Sequence, residues 1–356
     1  MIEITNGNLL TSQVEALVNT VNTEGVMGKG IALQFKQAFP AMYKDYEAAC
    51  KAGEVKLGHV HVYDLGGLVG GPRWIINFPT KGHWKSRSRL SDIEHGLDDL
   101  IEKMKCLDIQ SIAVPPLGCG YGGLNWDEVR PLIERKFSKL PDRIVKLYPP
   151  NGAPEPKAML NRTEKPEMNE SRAALIVIME RYLQGLLDPF VSLLEIHKLM
   201  YFLQEAGQPL RLQYEAQTYG PYAKNLRHVL IKLEGHYLSG YGEGTDNPDK
   251  PIELLPGAVE EASGLVSASD ETLSRMNRVT ALISGFEDSY GLELLSSVHW
   301  VMCHDQAARD SADDAIEAVH RWNDRKKKTL KSDHLRKAWD RLKTQRWDQE
   351  SLSAIH

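Results

Sequence analysis

With 356 residues the chain exceeds one ordinary compact domain and can build two cores. Hydrophobic residues at 42% and charged residues at 26% exclude a wholly disordered or fibrous protein. The net charge of −5 sits in the second half of the chain, whereas residues 1–160 are nearly balanced. No stretch approaches the ~18 consecutive apolar residues of a membrane span. The opening Met1-Ile2-Glu3-Ile4 lacks the basic and apolar regions of a signal peptide, so a soluble, cytoplasmic protein is expected.

In chain order, the first half alternates short apolar runs with amphipathic segments, which predicts an α/β sheet covered by helices. Strands are expected at 16–21, 59–65, 74–78, 111–115 and 144–148, with an edge strand near 2–5. Helices are expected at 31–39, 41–52, 90–104 and 127–138, the last announced by an Asn125 cap. Prolines and polar residues predict a linker over 153–169. Residues 170–356 form a mainly α-helical second domain, with helices expected at 173–184, 193–206, 222–233, 270–286 and 292–303. The sequence Tyr219-Gly220-Pro221 reads as a turn opening the helix at 222, and 241–267 as an ordered loop or small ribbon.

Cys50, Cys106, Cys119 and Cys303 are scattered singly, which fits a reducing compartment and offers no zinc spacing. His59 and His61 would share a strand face, but without neighbouring ligands they do not make a metal site, and none is expected.

Three loops carry the chemistry. After the first long strand, Asn22-Thr23-Glu24-Gly25-Val26-Met27-Gly28-Lys29-Gly30 runs into a helix. It is either an ordinary tight turn or a cradle of backbone N–H groups for an anion such as diphosphate. A second glycine loop, Pro116 to Trp126, follows the strand near 112–115, and two such loops favour the anion reading. Gly118, Gly120 and Gly123 satisfy GxGxxG, yet no acidic ribose ligand follows at the end of the next strand, so a dinucleotide fold is rejected. No GxxxxGK[ST] is present. In the third loop, Asn77-Phe78-Pro79-Thr80-Lys81-Gly82-His83-Trp84-Lys85, Lys81 is either a solvated strand-end lysine or, crowded by Thr80, His83 and Trp84, a desolvated amine fit for catalysis.

These residues resemble macrodomains, specifically the DarG-type DNA ADP-ribosyl glycohydrolases. The resemblance covers residues 1–152 and rests on Thr5-Asn6-Gly7-Asn8-Leu9-Leu10, Asn19-Thr20-Val21-Asn22 with Gly25-Val26-Met27-Gly28-Lys29-Gly30-Ile31-Ala32, Asn77-Phe78-Pro79-Thr80-Lys81, and Pro115-Pro116-Leu117-Gly118-Cys119-Gly120. It implies a three-layer αβα fold that binds ADP-ribose through Asn8, Leu9, Thr20, Gly28, Gly30, Ile31, Ala32, Thr80, Gly118, Cys119, Gly120, Tyr121 and Gly122. Asn8 stands where macrodomains place an aspartate for the adenine amino group. Lys81 and Asn22 would face the scissile ribose as catalytic residues.

Related macrodomains pair a lysine with an aspartate in the second glycine loop, and that position here is Gly122. The implied substrate is single-stranded DNA carrying ADP-ribose on thymine, with ADP-ribose as product and no cofactor. Lys81, Lys85, Arg87 and Arg89, with His83 and Trp84 between them, would contact its phosphates and bases or simply form a solvated basic loop.

The second half resembles Panacea-type antitoxin domains through His197-Lys198-Leu199-Met200-Tyr201-Phe202-Leu203-Gln204 and Glu215-Ala216-Gln217-Thr218-Tyr219-Gly220-Pro221-Tyr222-Ala223-Lys224-Asn225-Leu226. This implies binding and inhibition of a DarT-type toxin. Eight acids between Glu243 and Glu271, against Lys250 alone, are the candidate contact for a basic DNA-binding groove. The alternative is a non-catalytic ADP-ribose reader joined to a toxin-sequestering domain.

Overall fold

The computed structural model describes residues 1–67, 71–150, 159–186, 190–242 and 247–348. The chain divides into two compact units, Met1–Glu164 and Lys165–His356. Of the expected linker, residues 153–158 lie outside the described residues. Leu160 packs against the core of the first unit, and Met168 against that of the second.

The first unit runs β1 (Ile2–Ile4), β2 (Ala16–Asn22), α1 (Gly30–Ala38), α2 (Pro40–Lys51), β3 (His61–Asp64), β4 (Trp74–Lys81), α3 (Leu90–Cys106), β5 (Ser111–Val114), α4 (Trp126–Phe137) and β6 (Ile144–Leu147). The six strands form one sheet in the order β1-β6-β5-β2-β4-β3. Only β3 pairs antiparallel, with β4.

The period-2 alternation of the strands builds the layers. Leu17, Val21, Ile75 and Ala113 pack with Phe35, Met42 and Tyr46 of α1 and α2. Ala16, Val18, Ile76, Phe78, Ile112 and Val114 pack with Ile93, Leu97 and Ile133 of α3 and α4. The result is the expected αβα macrodomain sandwich. Its α3 layer depends on Gly96, where an added Cβ would lie 2.4 Å from Phe78 Cζ.

His59 and His61 do not share a face. The strand begins only at His61, whose Nε2 lies 3.2 Å from Asp45 of α2, whereas His59 Nδ1 lies 3.6 Å from Asp99 of α3. The two rings therefore serve opposite layers.

The second unit contains α5 (Glu170–Gln184), β7 (Val191–Ser192), α6 (Leu193–Glu205), β8 (Tyr214–Gln217), β9 (Gly220–Ala223), α7 (Leu226–Leu233), β10 (Leu238–Ser239), β11 (Pro251–Leu254) and α8 (Ala258–Ser267). It continues with α9 (Asp270–Ile283), α10 (Ser289–His304), α11 (Gln306–Asp310), α12 (Ala312–Trp322), α13 (Asp324–Thr329) and α14 (Ser332–Thr344). Residues 173–179 of α5 are buried without a break, as befits a helix packed on all sides. Helix α6 opens on a capping box between Ser192 and Glu195.

Two expectations are corrected here. The helix foreseen from Tyr222 starts at Leu226, and Gly220–Ala223 instead pairs with Tyr214–Gln217 as an antiparallel hairpin. Gly220 takes φ +101°, open to glycine, and the Tyr222 ring stacks 4.2 Å from that of His197. The stretch 241–267, read as loop or ribbon, does contain a ribbon strand in β11, but its end forms α8, whose Ala258, Ala262 and Val266 are buried at helical spacing.

Candidate active site

Strands β2, β4 and β5 are parallel neighbours, so the three loops leave the same edge of the sheet. In open α/β sheets that carboxyl edge is where ligands bind. Two register features build the floor. Asn19 and Asn77 are cross-strand partners, and the buried Asn19 Nδ2 donates to Asn77 Oδ1 at 2.9 Å. The register then shifts after Val21, so that Asn22 comes opposite Lys81. The two residues expected to face the scissile ribose are thus brought together by a bulge at the strand ends.

The Asn22 side chain organises the first glycine loop. Its Nδ2 donates to the Val26 carbonyl at 2.6 Å, and its Oδ1 accepts from Glu24 N at 2.9 Å and Val26 N at 3.3 Å. Its own carbonyl accepts from the buried Tyr46 hydroxyl at 2.5 Å. Desolvation raises the Tyr46 pKa well above its ordinary value and keeps that hydroxyl a donor. The loop ends at α1, whose first turn has no side-chain cap, and Gly30 sits at φ +58°. Uncapped N–H groups at a helix start suit an anion, and Ile31 and Ala32 belong to that turn.

The second loop offers its donors differently from the first, and the Asn125 cap expected from the sequence is present. Asn125 caps α4 by accepting from Asp127 N at 3.0 Å, so the helix terminus is already satisfied. Within the loop, Cys119 N donates to Pro116 O, Gly123 N to Gly120 O and Leu124 N to Gly118 O. Among the described residues, the N–H groups of Gly120, Tyr121 and Gly122 have no backbone partner. These are the groups that can meet a phosphate or ribose.

Gly122 has no room for a side chain. A Cβ there would lie 2.3 Å from Ser88 Oγ and 2.4 Å from the Gly118 carbonyl oxygen, so any side chain at this position would force the loop backbone to shift. Gly120, by contrast, has nothing within 4 Å of an added Cβ and opens outward. Burial pushes the Cys119 thiol up to about 11, which makes it inert as a nucleophile.

Lys81 ends β4 between the two loops. Its Nζ donates to the Tyr121 carbonyl at 3.4 Å, and desolvation lowers its pKa from the ordinary lysine value. The Tyr121 side chain is 74% exposed, lies 3.5 Å from an added Cβ on Gly30, and has Lys29 Nζ 5.8 Å from its ring centre. Tyr121 therefore bridges both glycine loops beside the lysine. Thr80 is buried, its hydroxyl donating to Val21 O at 3.3 Å, while Thr20 is half-buried one strand over. Asn8 caps the short 3₁₀ turn Leu9–Thr11, with Oδ1 accepting from Leu10 N at 3.0 Å, and Leu9 is buried in the α1/α2 layer. One lone pair of the Asn8 carbonyl is thus already engaged.

Three residues escaped sequence reasoning. Glu24 lies 3.6 Å from His83 Nε2, Tyr46 holds Asn22, and Ser88 is buried with an unpartnered Oγ against the second loop. Glu24 stood inside a loop already singled out. Nothing local marked the other two.

The second unit holds one group with metal-ligand chemistry among the described residues: Glu205, His299 and Cys303, whose ligand atoms lie within 4.8 Å of one another. Both His299 nitrogens already have partners, Tyr201 Oη at 2.8 Å and the Trp347 carbonyl at 3.1 Å.

A Macro domain family model matches residues 18–133. Over 342 residues the chain is 44% identical to a DNA ADP-ribosyl glycohydrolase of Thermus aquaticus, covering 96% of this chain and 93% of the relative. The chain belongs to the DNA ADP-ribosyl glycohydrolases. A second relative of that name, from Mycobacterium tuberculosis, is 42% identical over 96% of this chain and 99% of its own length. A DNA ADP-ribosyl transferase-DNA ADP-ribosyl glycohydrolase fusion protein of Thermosipho africanus is 37% identical over 42% of each chain. The solved macrodomain of Mycobacterium tuberculosis DarG is 54% identical, with 42% of this chain and 99% of that chain covered and a TM-score of 0.42.

The enzyme is accordingly a hydrolase of DNA-linked ADP-ribose. Among the described residues no helix is long and apolar enough to cross a membrane.

Proposed function

We propose that this glycohydrolase removes ADP-ribose from thymine in single-stranded DNA, with Lys81 as the catalytic group, and that its helical unit binds and inhibits a DarT-type toxin. The observation that carries the first part is the position of Lys81, desolvated at the edge of the sheet between two loops of backbone donors. The diphosphate lies along the N–H groups of the α1 start and of Gly120 to Gly122, with Asn8 and Leu9 toward the adenine. This directs the distal ribose to Lys81.

In the step we favour, the neutral Lys81 amine attacks the anomeric carbon as the bond to the thymine ring nitrogen breaks. The base leaves as an imide anion and takes up a proton, and water then releases ADP-ribose from the lysine. Asn22, expected from the sequence to face the ribose as a catalytic residue, has its amide engaged by the loop and acts instead as a positioning residue that holds the Glu24 and Val26 backbone. The glycine at 122 supports this single-amine chemistry, since a second-loop carboxylate is absent and would require the loop backbone to shift.

The toxin link is supported by the fusion relative, whose name joins the writing and erasing activities in one chain. Single-stranded DNA bearing ADP-ribose on thymine, incubated with the protein, should yield free ADP-ribose and unmodified thymine. Persistence of the modified base would overturn the substrate assignment.

A further inference from the structure

The loop that follows Lys81 is more than a connection. Thr23 N and Thr23 Oγ1 donate to the Gly82 carbonyl at 3.1 and 3.0 Å, tying its start to the first glycine loop. Ser88 N donates to the Gly122 carbonyl at 3.0 Å, tying its end to the second. Within it, Lys85 N donates to His83 Nδ1 at 3.0 Å and Ser86 N to the His83 carbonyl at 2.9 Å, a compact turn that fixes the His83 ring. The Trp84 ring stacks on that of His83 at 5.5 Å and 21°, and Lys85 Nζ sits 4.8 Å from the Trp84 ring centre. Trp84, Lys85, Arg87 and Arg89 are all exposed.

Trp84 keeps 36% of its surface open to solvent on this braced turn, with the His83 ring and the Lys85 ammonium against it. Ordered aromatic faces interleaved with cationic side chains are what single-stranded nucleic acid binds: bases stack on the rings and phosphates meet the cations. The position decides which part of the DNA is met. A nucleotide whose ADP-ribose reaches Lys81 brings its neighbouring nucleotides to the rim that begins two residues later.

We propose that residues 83–89 form the strand-reading rim of the active site, with Trp84 stacking a base next to the modified nucleotide and Lys85, Arg87 and Arg89 holding the flanking phosphates. This rests on the reading of ADP-ribosylated single-stranded DNA as substrate. Trp84 is a specificity residue for the strand and takes no part in bond cleavage. The rim makes the enzyme prefer a modified nucleotide inside a strand over the same nucleotide alone.

The test is steady-state hydrolysis of two substrates, an ADP-ribosylated oligonucleotide with flanking nucleotides on both sides and the isolated ADP-ribosyl thymidine, by the full chain and by Trp84→Ala, Trp84→Tyr and Lys85→Gln/Arg87→Gln variants. The full chain should show a lower KM for the oligonucleotide. Trp84→Ala should raise that KM about tenfold and leave kcat and the thymidine substrate unchanged, with Trp84→Tyr restoring most of the loss. The double variant should flatten the salt dependence of oligonucleotide binding by about 1.4 in log–log slope. Equal KM for both substrates in the full chain, or equal losses on both in Trp84→Ala, would overturn the rim. The latter result would mean that the loop only braces the glycine loops. Failure of the full chain to cleave either substrate would instead refute the substrate reading itself.

Discussion

Gly122→Ala separates geometry from chemistry at this site. One methyl group would be placed 2.3 Å from Ser88 Oγ and 2.4 Å from the Gly118 carbonyl oxygen. Ser88 can rotate away, but the Gly118 carbonyl is backbone, so residues 118–122 must shift to admit it. Overpacking of this kind costs about 1–3 kcal/mol. For a unit of this size that lowers the unfolding midpoint by about 2–12 °C. The same shift displaces the N–H groups of Gly120 to Gly122, so affinity for ADP-ribose should fall as well. Gly120→Ala is the matched control: its Cβ meets nothing within 4 Å, so the midpoint should hold, while Gly120→Val, whose branched side chain would crowd a phosphate held on the neighbouring N–H groups, should lower affinity for ADP-ribose. Thermal unfolding and ADP-ribose calorimetry on these variants decide the matter. A Gly122→Ala protein with the original midpoint and affinity would refute the steric argument, and normal affinity in Gly120→Val would remove the second loop from the ligand site.

The lowered pKa of Lys81 means that the neutral amine gains population as pH rises, at lower pH than for an ordinary lysine. Turnover should therefore climb with pH, with its midpoint below that of an ordinary lysine, and a flat profile would contradict amine attack. Lys81→Arg keeps the charge but removes the usable nucleophile, so it should be inactive in the same assay. In the helical unit, burial pushes His197 down to about 3 and His299 to about 4, against 6.5 for an exposed ring. The unfolded chain takes up these protons first as pH falls below about 6.5, so stability is lost on acidification, on the order of 2 kcal/mol per histidine by pH 5. Urea titrations followed through the tryptophans of that unit should show a lower midpoint at pH 5 than at pH 7, and equal midpoints would mean the rings are not buried. For toxin binding, Glu261 is committed to Lys165 at 2.5 Å and to Tyr237 Oη at 2.6 Å, while Glu253 and Glu260 are exposed. Glu253→Lys with Glu260→Lys should weaken toxin affinity most at low salt, and unchanged affinity at two salt concentrations would place the contact elsewhere. Glu243 and Asp246, also part of that acidic run, lie outside the described residues.

The sandwich was legible because strands such as Ala16–Asn22 and Trp74–Lys81 are apolar over most of their length and each is followed by a glycine turn or an amphipathic helix. The loops at the carboxyl edge of the sheet were legible for a related reason: their glycines stand at strand ends, where periodicity stops. What escaped was long-range. The shift that sets Asn22 opposite Lys81, the hydrogen bond from Tyr46 to Asn22, and the closure of Ser88 on Gly122 each join residues far apart in sequence with no local signature. The hairpin at 214–223 escaped because Tyr222 and Ala223 continue the apolar spacing of Leu226, Leu230 and Leu233, so a strand and a helix read as one helix.

The most direct measurement is single-turnover release of ADP-ribose from thymine-modified single-stranded DNA by the full chain and by Lys81→Ala, with ADP-ribose affinity measured on both. The expected result is complete release by the former, none by the latter, and retained ADP-ribose binding in the variant, since the backbone donors of the two loops are untouched. Undiminished release by Lys81→Ala would contradict the assignment of Lys81 and return it to the solvated surface.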